Sequence, residues 1–302
     1  MPLIMGILAQ AAAAPGPTPV AGAGYAMGGY TTTSVATVSK LDFVTETDSD
    51  LATGFSSGRN GLAGFESSTA GYGAGGYTGT WVGTVDKFTF SDDSRSTLAQ
   101  NISPSRASCD GFNSTTHGYV GGGTDFSSTY SSVDKFAFSD DSRSTTTTMS
   151  SGRARYSGFN GPSAGYFAGG QSVTTVDKWL FASDTRSTLG TGLSGNRYNM
   201  AGVESSSHGY VLAGYNGSAN VNTIEKFAFS DDSRTTAGTG LDTAIRVPAG
   251  LCNNTAGYTA AGYISANSAI IQKVLFASDS PSTLGATLNA ARQDSRGMSN
   301  KG

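Results

Sequence analysis

Self-similarity constrains this chain more than any other feature. The stretch FAFSDDSRST occupies Phe136–Thr145, recurs at Phe227–Thr236 with one Thr for Ser, and appears in close form at Phe88–Thr97. Looser copies are Trp179–Thr188 and Val274–Thr283, and the most divergent is Leu41–Leu51. Each copy follows a Lys: Lys40, Lys87, Lys135, Lys178, Lys226 and Lys273. Further upstream stands a Gly-Tyr pair whose tyrosines, Tyr25, Tyr72, Tyr119, Tyr166, Tyr210 and Tyr258, step by 47, 47, 47, 44 and 48 residues. An Arg opens the unit 13 residues before the Tyr at Arg59, Arg106, Arg153 and Arg197, and 12 before it at Arg246. A period of this length means one supersecondary unit stacked or closed upon itself, because a single unit cannot bury its apolar face alone.

The unit reads as strand throughout. In the second copy, residues 59–67, 71–75, 82–90 and 95–98 form four short runs rich in β-formers or small residues, separated by Ser, Thr, Asn, Gly and Asp turns. No segment sustains a 3.6-residue apolar period. With 42 Gly and only 14% charged residues the composition alone suggests disorder, but the regular Tyr, Phe, Val and Trp positions supply a core once per unit. Four strands in about 47 residues is a propeller blade. The fold class is therefore all-β, with a six-bladed propeller over residues 22–302. The first unit lacks an opening Arg strand, while the chain ends on an orphan one in which Met298 lies six residues after Arg292. The C-terminal strand is expected to complete the N-terminal blade and so remove exposed sheet edges.

The Gly-Tyr-x-x-Gly-Gly motif (Gly165, Tyr166, Gly169 and Gly170), the downstream Val-Asp-Lys-Phe and the opening Arg together resemble the kelch-type β-propeller family across residues 22–302. The resemblance implies closure by an innermost C-terminal strand and a binding face lined by the loops after the Gly pair. Some kelch-type propellers are copper oxidases using Tyr, His and Cys. This chain has only His117 and His208, both at the same turn position, so no metal or other cofactor is expected.

Two sets of residues are candidates for binding. The loops after the Gly pair differ most between units and carry Tyr77, Trp81, Phe126, Tyr130, Tyr215 and Tyr263 beside Asn, Thr and Ser. Such aromatics suit stacking on sugar rings; alternatively they cap the blades. The opening arginines Arg59, Arg106, Arg153, Arg197, Arg246 and Arg292 are expected to form a ring near one mouth of the central channel, either holding an anion or pairing with carbonyls or acids of the adjacent blade. Their repetition in every unit favours the internal pairing. Adjacent Asp residues, as at Asp92-Asp93, read as turn chemistry rather than a calcium site. Cys109 and Cys252 fall at different unit positions and form no disulfide framework.

No serine stands in a nucleophile context, and no helix follows the Gly-rich stretches as a phosphate loop requires. The net charge of -3 gives no attraction for nucleic acid. Residues 1–21 belong to no unit; their apolar run is too short to span a bilayer and lacks the positive flank of a secretory signal. They are expected to be an assembly arm docking Leu3, Ile4, Ile7 and Leu8 on other structural subunits, with Pro15, Pro17 and Pro19 as a stiff connector. The Ser/Thr/Gly-rich, Lys-poor units and this arm resemble structural proteins of bacterial viruses. The functional expectation is a non-enzymatic structural or binding propeller on a virion surface, tail- or capsid-associated, part of a larger assembly and attaching to a surface glycan or decorating the particle. A secreted or envelope lectin-like propeller is the alternative. A glycan-processing enzyme is disfavoured because no acid/base pair is apparent.

Overall fold

A computed structural model of the chain describes residues 22–301; the expected arm, with Leu3, Ile4, Ile7 and Leu8, lies outside the described residues. The 24 described strands form six four-stranded antiparallel sheets, the blades of a β-propeller. The second blade is representative, running β4 (Ala63–Glu66), β5 (Ala70–Ala74), β6 (Val85–Thr89) and β7 (Arg95–Thr97) from the axis outward. The first blade takes β1 (Ala23–Met27), β2 (Val38–Asp42) and β3 (Asp48–Asp50) from the start of the described chain and β24 (Arg296–Asn300) from its end. Tyr25 sits opposite Met298 in the pairing of β1 with β24. The innermost strand begins at Ala63, four residues later than its sequence suggested, because Gly61 turns the chain into the left-handed region at φ +64°.

The repeated Gly-Tyr, Lys and second acid join neighbouring blades. Met298 of the first blade reaches toward Gly71 of the second, Phe65 toward Gly118, and Phe112 toward Gly165. A Cβ on those glycines would lie only 1.8–2.1 Å from the incoming side chain. The following Tyr stacks on the apolar inner-strand residue of its own blade, as Tyr72 does on Phe65 at 4.8 Å. Its hydroxyl and the neighbouring Lys then meet the second acid of the next blade's turn. Tyr72 Oη and Lys87 Nζ lie 3.2 and 2.8 Å from Asp141, Tyr119 and Lys135 lie 2.8 and 2.5 Å from Asp184, and the series closes on the first blade through Lys273 and Glu46 at 2.5 Å. The first Asp of the turn has a different task, accepting the amide of the residue two on, as Asp92 does from Ser94 at 3.0 Å.

Two further closed series run around the axis. Gly64, Gly111, Gly158, Gly202, Gly250 and Gly297 each face the carbonyl of the preceding member so closely that an added Cβ would lie 1.7–2.5 Å from it. This packing leaves a void of only about 40 Å³ along the inner strands, crossed by Arg296 and Asp110 at 3.6 Å. Near one end of the axis, six backbone hydrogen bonds form a ring. Gly61 donates to Asp294, Ser108 to Gly61, Arg155 to Ser108, Asn199 to Arg155, Val247 to Asn199 and Asp294 to Val247, at 2.6–3.1 Å. All six residues adopt left-handed backbone, with φ between +52° and +64°.

Candidate functional site

The opening arginines do not form a ring at the channel mouth. Five are buried inside their own blades, which excludes them from contact with a ligand. Arg59 pairs with Asp86 and Arg106 with Asp134, both at 2.7 Å, Arg153 pairs with Asp177 at 3.1 Å, and Arg197 pairs with Glu225. The acid is the one of the Val-Asp-Lys motif, and it also accepts a backbone amide of the loop before the Arg, as Asp86 does from Ser56 at 2.9 Å. Burial pulls the Arg59 guanidinium down to about 10 against the opposing charge of Asp86. Arg292 meets Ser39 Oγ at 2.9 Å, and Ser39 in turn donates to Asp50 at 2.5 Å, so the first blade carries its acid one strand farther out.

Arg246 is the exception, and its spacing of 12 rather than 13 explains why. The Gly that ends each Gly-Gly or Ala-Gly pair donates its amide to the carbonyl at the start of the next blade, a buried Arg in most: Gly76 to Arg106, Gly123 to Arg153 and Gly262 to Arg292. In the sixth blade the acceptor is Ile245, which fills the buried position. Gln272 replaces the acid there, and its side chain bonds the Thr243 backbone in both directions. A buried ion pair has been exchanged for a neutral one, and Arg246 is displaced by one residue onto the axial face.

There it joins an open bowl of about 510 Å³ whose floor is the backbone hydrogen-bond ring. Ser108, Arg155, Asn199, Val247 and Asp294 of the ring contribute to its lining. The wall comes from the bridges that pair the residue after the Arg position with the residue after the Gly pair, such as Asn60 with Tyr77 and Tyr198 with Tyr215. Tyr30, Tyr77, Phe126, Tyr198 and Tyr215 supply its aromatic surface. Tyr198 meets Tyr215 edge-on at 5.4 Å, and Arg246 lies between Tyr215 and Tyr263, 4.9 and 4.5 Å from the ring centres. Asp294 accepts from the Asn60 side chain at 2.9 Å.

Of the six loop aromatics singled out from sequence, Tyr77, Phe126 and Tyr215 line the bowl. Tyr263 supports it from behind through Arg246, and Trp81 packs on Tyr77 and Phe126 at 5.7 and 5.4 Å. Phe126 is 67% exposed. Tyr130 turns away and donates to Asp125 at 2.7 Å. The sequence reading missed Tyr30, Tyr198, Arg155, Asn199 and Asp294. A signal for Tyr198, Arg155, Asn199 and Asp294 was present: the pair of residues after each opening Arg differs from unit to unit while the Arg itself repeats, and Tyr30 follows Gly28-Gly29 as Tyr77 follows Gly75-Gly76.

The opposite end of the axis has an opening of about 530 Å³ lined by Glu66, Asn113, Asn160, Ser299 and Lys301 among others. Its polar groups largely satisfy one another. The Asn113 side chain accepts from Glu66, Asn160 from Asn113 and Ser299 from Cys252, while Lys301 pairs with Glu204. Burial, with Glu204 adding and Lys301 opposing, pushes the Glu66 carboxyl up to about 7. His117 and His208 lie off the axis, each beside a neighbouring hydroxyl at 2.8 Å, and Cys109 and Cys252 are buried free thiols. Among the described residues no group of three or more His, Cys, Asp or Glu is placed to hold a metal ion, and no helix is long and apolar enough to cross a membrane. No protein-family model and no curated protein matches this chain.

Proposed function

We propose that this six-bladed propeller is a non-enzymatic recognition module that binds a saccharide in the loop-face bowl. The observation that carries the reading is the bowl itself. Half-buried tyrosine faces stand over a floor of polar side chains, in a concavity within the usual range for small-ligand sites. Aromatic faces stack on the apolar face of a sugar, and Asn60, Ser108, Asn199 and Asp294 are suited to its hydroxyls. The floor is hydrogen-bonded backbone, which limits the ordering cost of binding.

The Ser/Thr/Gly-rich, Lys-poor units and the uncharged apolar N-terminal segment, which resemble structural proteins of bacterial viruses, are the grounds for a place on a virion surface. There residues 1–21 attach the subunit to its neighbours and the bowl meets a host-surface glycan. A glycan array tests the binding function. The intact protein is expected to bind, and the double substitution Tyr198→Ala with Tyr215→Ala to abolish binding without lowering the melting temperature by more than a few degrees. An array on which the intact protein binds nothing overturns the reading. The attachment role has its own test, since a chain beginning at Gly22 should fold yet fail to enter the parent particle.

A further inference from the structure

The floor ring carries a feature that folding alone does not require. Left-handed backbone is cheapest for Gly and costs other residues about 1 kcal/mol or more, most of all β-branched ones. Gly61 uses the inexpensive solution, and Asn199 and Asp294 are types that tolerate this region, but Ser108, Arg155 and Val247 are not. The ring itself is made by backbone amides and carbonyls, so the Arg155 side chain takes no part in holding it. No two of the ring residues are alike, whereas a buried Arg recurs just before them in five of the six blades.

Two of the charges on this face are unbalanced. Arg155 has no hydrogen-bond or ion-pair partner for its guanidinium among the described residues. Arg246 rests between two tyrosine rings, which orient the guanidinium without neutralising it. The acid that would have paired with an Arg at this blade is absent, Gln272 standing in its place. The single carboxylate of the bowl, Asp294, belongs to the first blade and so lies across the ring from Arg155 of the fourth. A chain of net charge -3 thus presents two unpaired cations in its aromatic bowl.

Resting on the saccharide reading, we infer that the ligand is an acidic sugar. Its carboxylate is held by Arg155 and Arg246, its hydroxyls face Asp294, Asn199 and Asn60, and its ring lies against Tyr198 or Tyr215. A guanidinium suits a carboxylate through paired N–H donors, and stacking on tyrosine fixes its plane.

Matched glycoside pairs test this by NMR titration of the full chain: a glucuronide with the glucoside, a galacturonide with the galactoside, and a sialic acid glycoside with its carboxamide. The acidic member of at least one pair is expected to bind about ten-fold or more tightly than its neutral partner. That preference should vanish in Arg155→Gln and in Arg246→Gln, with unchanged melting temperatures. Both substitutions keep the backbone ring. Equal affinity within every binding pair, or a preference that survives both substitutions, overturns the acidic-sugar assignment and leaves the saccharide reading standing. Binding of neither member of any pair overturns both.

Discussion

Arg106 and Asp134 are both fully buried; among the described residues Asp134 is the one charged partner of Arg106, whereas Asp134 also pairs with the part-exposed Arg143 at 2.5 Å. Removing Asp134 leaves the Arg106 charge stranded, which costs about 3–5 kcal/mol, whereas replacing both with neutral residues is close to neutral. The protein already contains the replacement, as Ile245 and Gln272 occupy the same positions in the sixth blade. Asp134→Gln alone is therefore expected to lower the unfolding free energy by about 3–5 kcal/mol, and Asp134→Gln with Arg106→Ile to recover most of it in a denaturant double-mutant cycle. Asp141→Asn is the contrast. Its partner Lys87 is partly exposed, and the loss should stay near 1 kcal/mol or below. Acidity offers a second residue-scale check. Burial, with the Asp50 carboxylate adding, pushes Asp48 up to about 6. A carboxyl whose pKa is raised on folding stabilises the fold below its unfolded value near 4, and that contribution is lost as pH rises through about 6. Urea midpoints of the wild type should accordingly fall between about pH 4 and 6 by more than those of Asp48→Asn.

At the scale of elements, the innermost strands decide whether the ring closes. Gly158 faces the Gly111 carbonyl with room for no side chain, a Cβ there lying 2.1 Å from the oxygen. Backbone cannot retreat as a flexible side chain does, so Gly158→Ala is expected to spread two blades and destabilise the protein by more than the 1–3 kcal/mol typical of overpacking. β24 is the other critical element. Without Arg296–Asn300, β1 loses its partner and the first blade its innermost strand. A chain ending at Ser295 should aggregate or lose its sharp thermal transition, and one that melts as the full chain does would show that β24 is dispensable for closure. The six Gly residues that set this packing were visible in the sequence as a Gly immediately before each inner apolar residue. Their role was not, because a pattern of small residues does not say which neighbour approaches.

The whole molecule is held by series that run through every blade and return to the start. The Lys–acid contacts, the inner-strand glycines and the floor hydrogen bonds each close on the first blade. A closed ring has no end from which to fray, unlike an open repeat array. Unfolding should then be a single event. With Trp81→Phe as background, fluorescence of the buried Trp179 in the fourth blade and far-UV circular dichroism should give coincident denaturation midpoints. An earlier transition for either probe would show that blades open separately.

The sequence by itself determined the blade count, the strand order within a blade and the closure by the C-terminal strand. Each of these follows from a repeated local pattern: alternating β-formers between turn residues, a period near 47, and an orphan strand at the end of the chain. It also carried Tyr77, Phe126 and Tyr215, three of the five aromatics that line the bowl. Only the tertiary structure decided which arginines are buried, because that depends on the acid two strands away in the same blade and on a one-residue change of spacing at Ile245. The bowl floor was decided there too. Its ring consists of contacts between residues about 47 apart, and the last of them joins Gly61 to Asp294 across nearly the whole chain. Long-range hydrogen bonds of that kind have no signature in local periodicity; they arise when six separately legible units are forced around one axis.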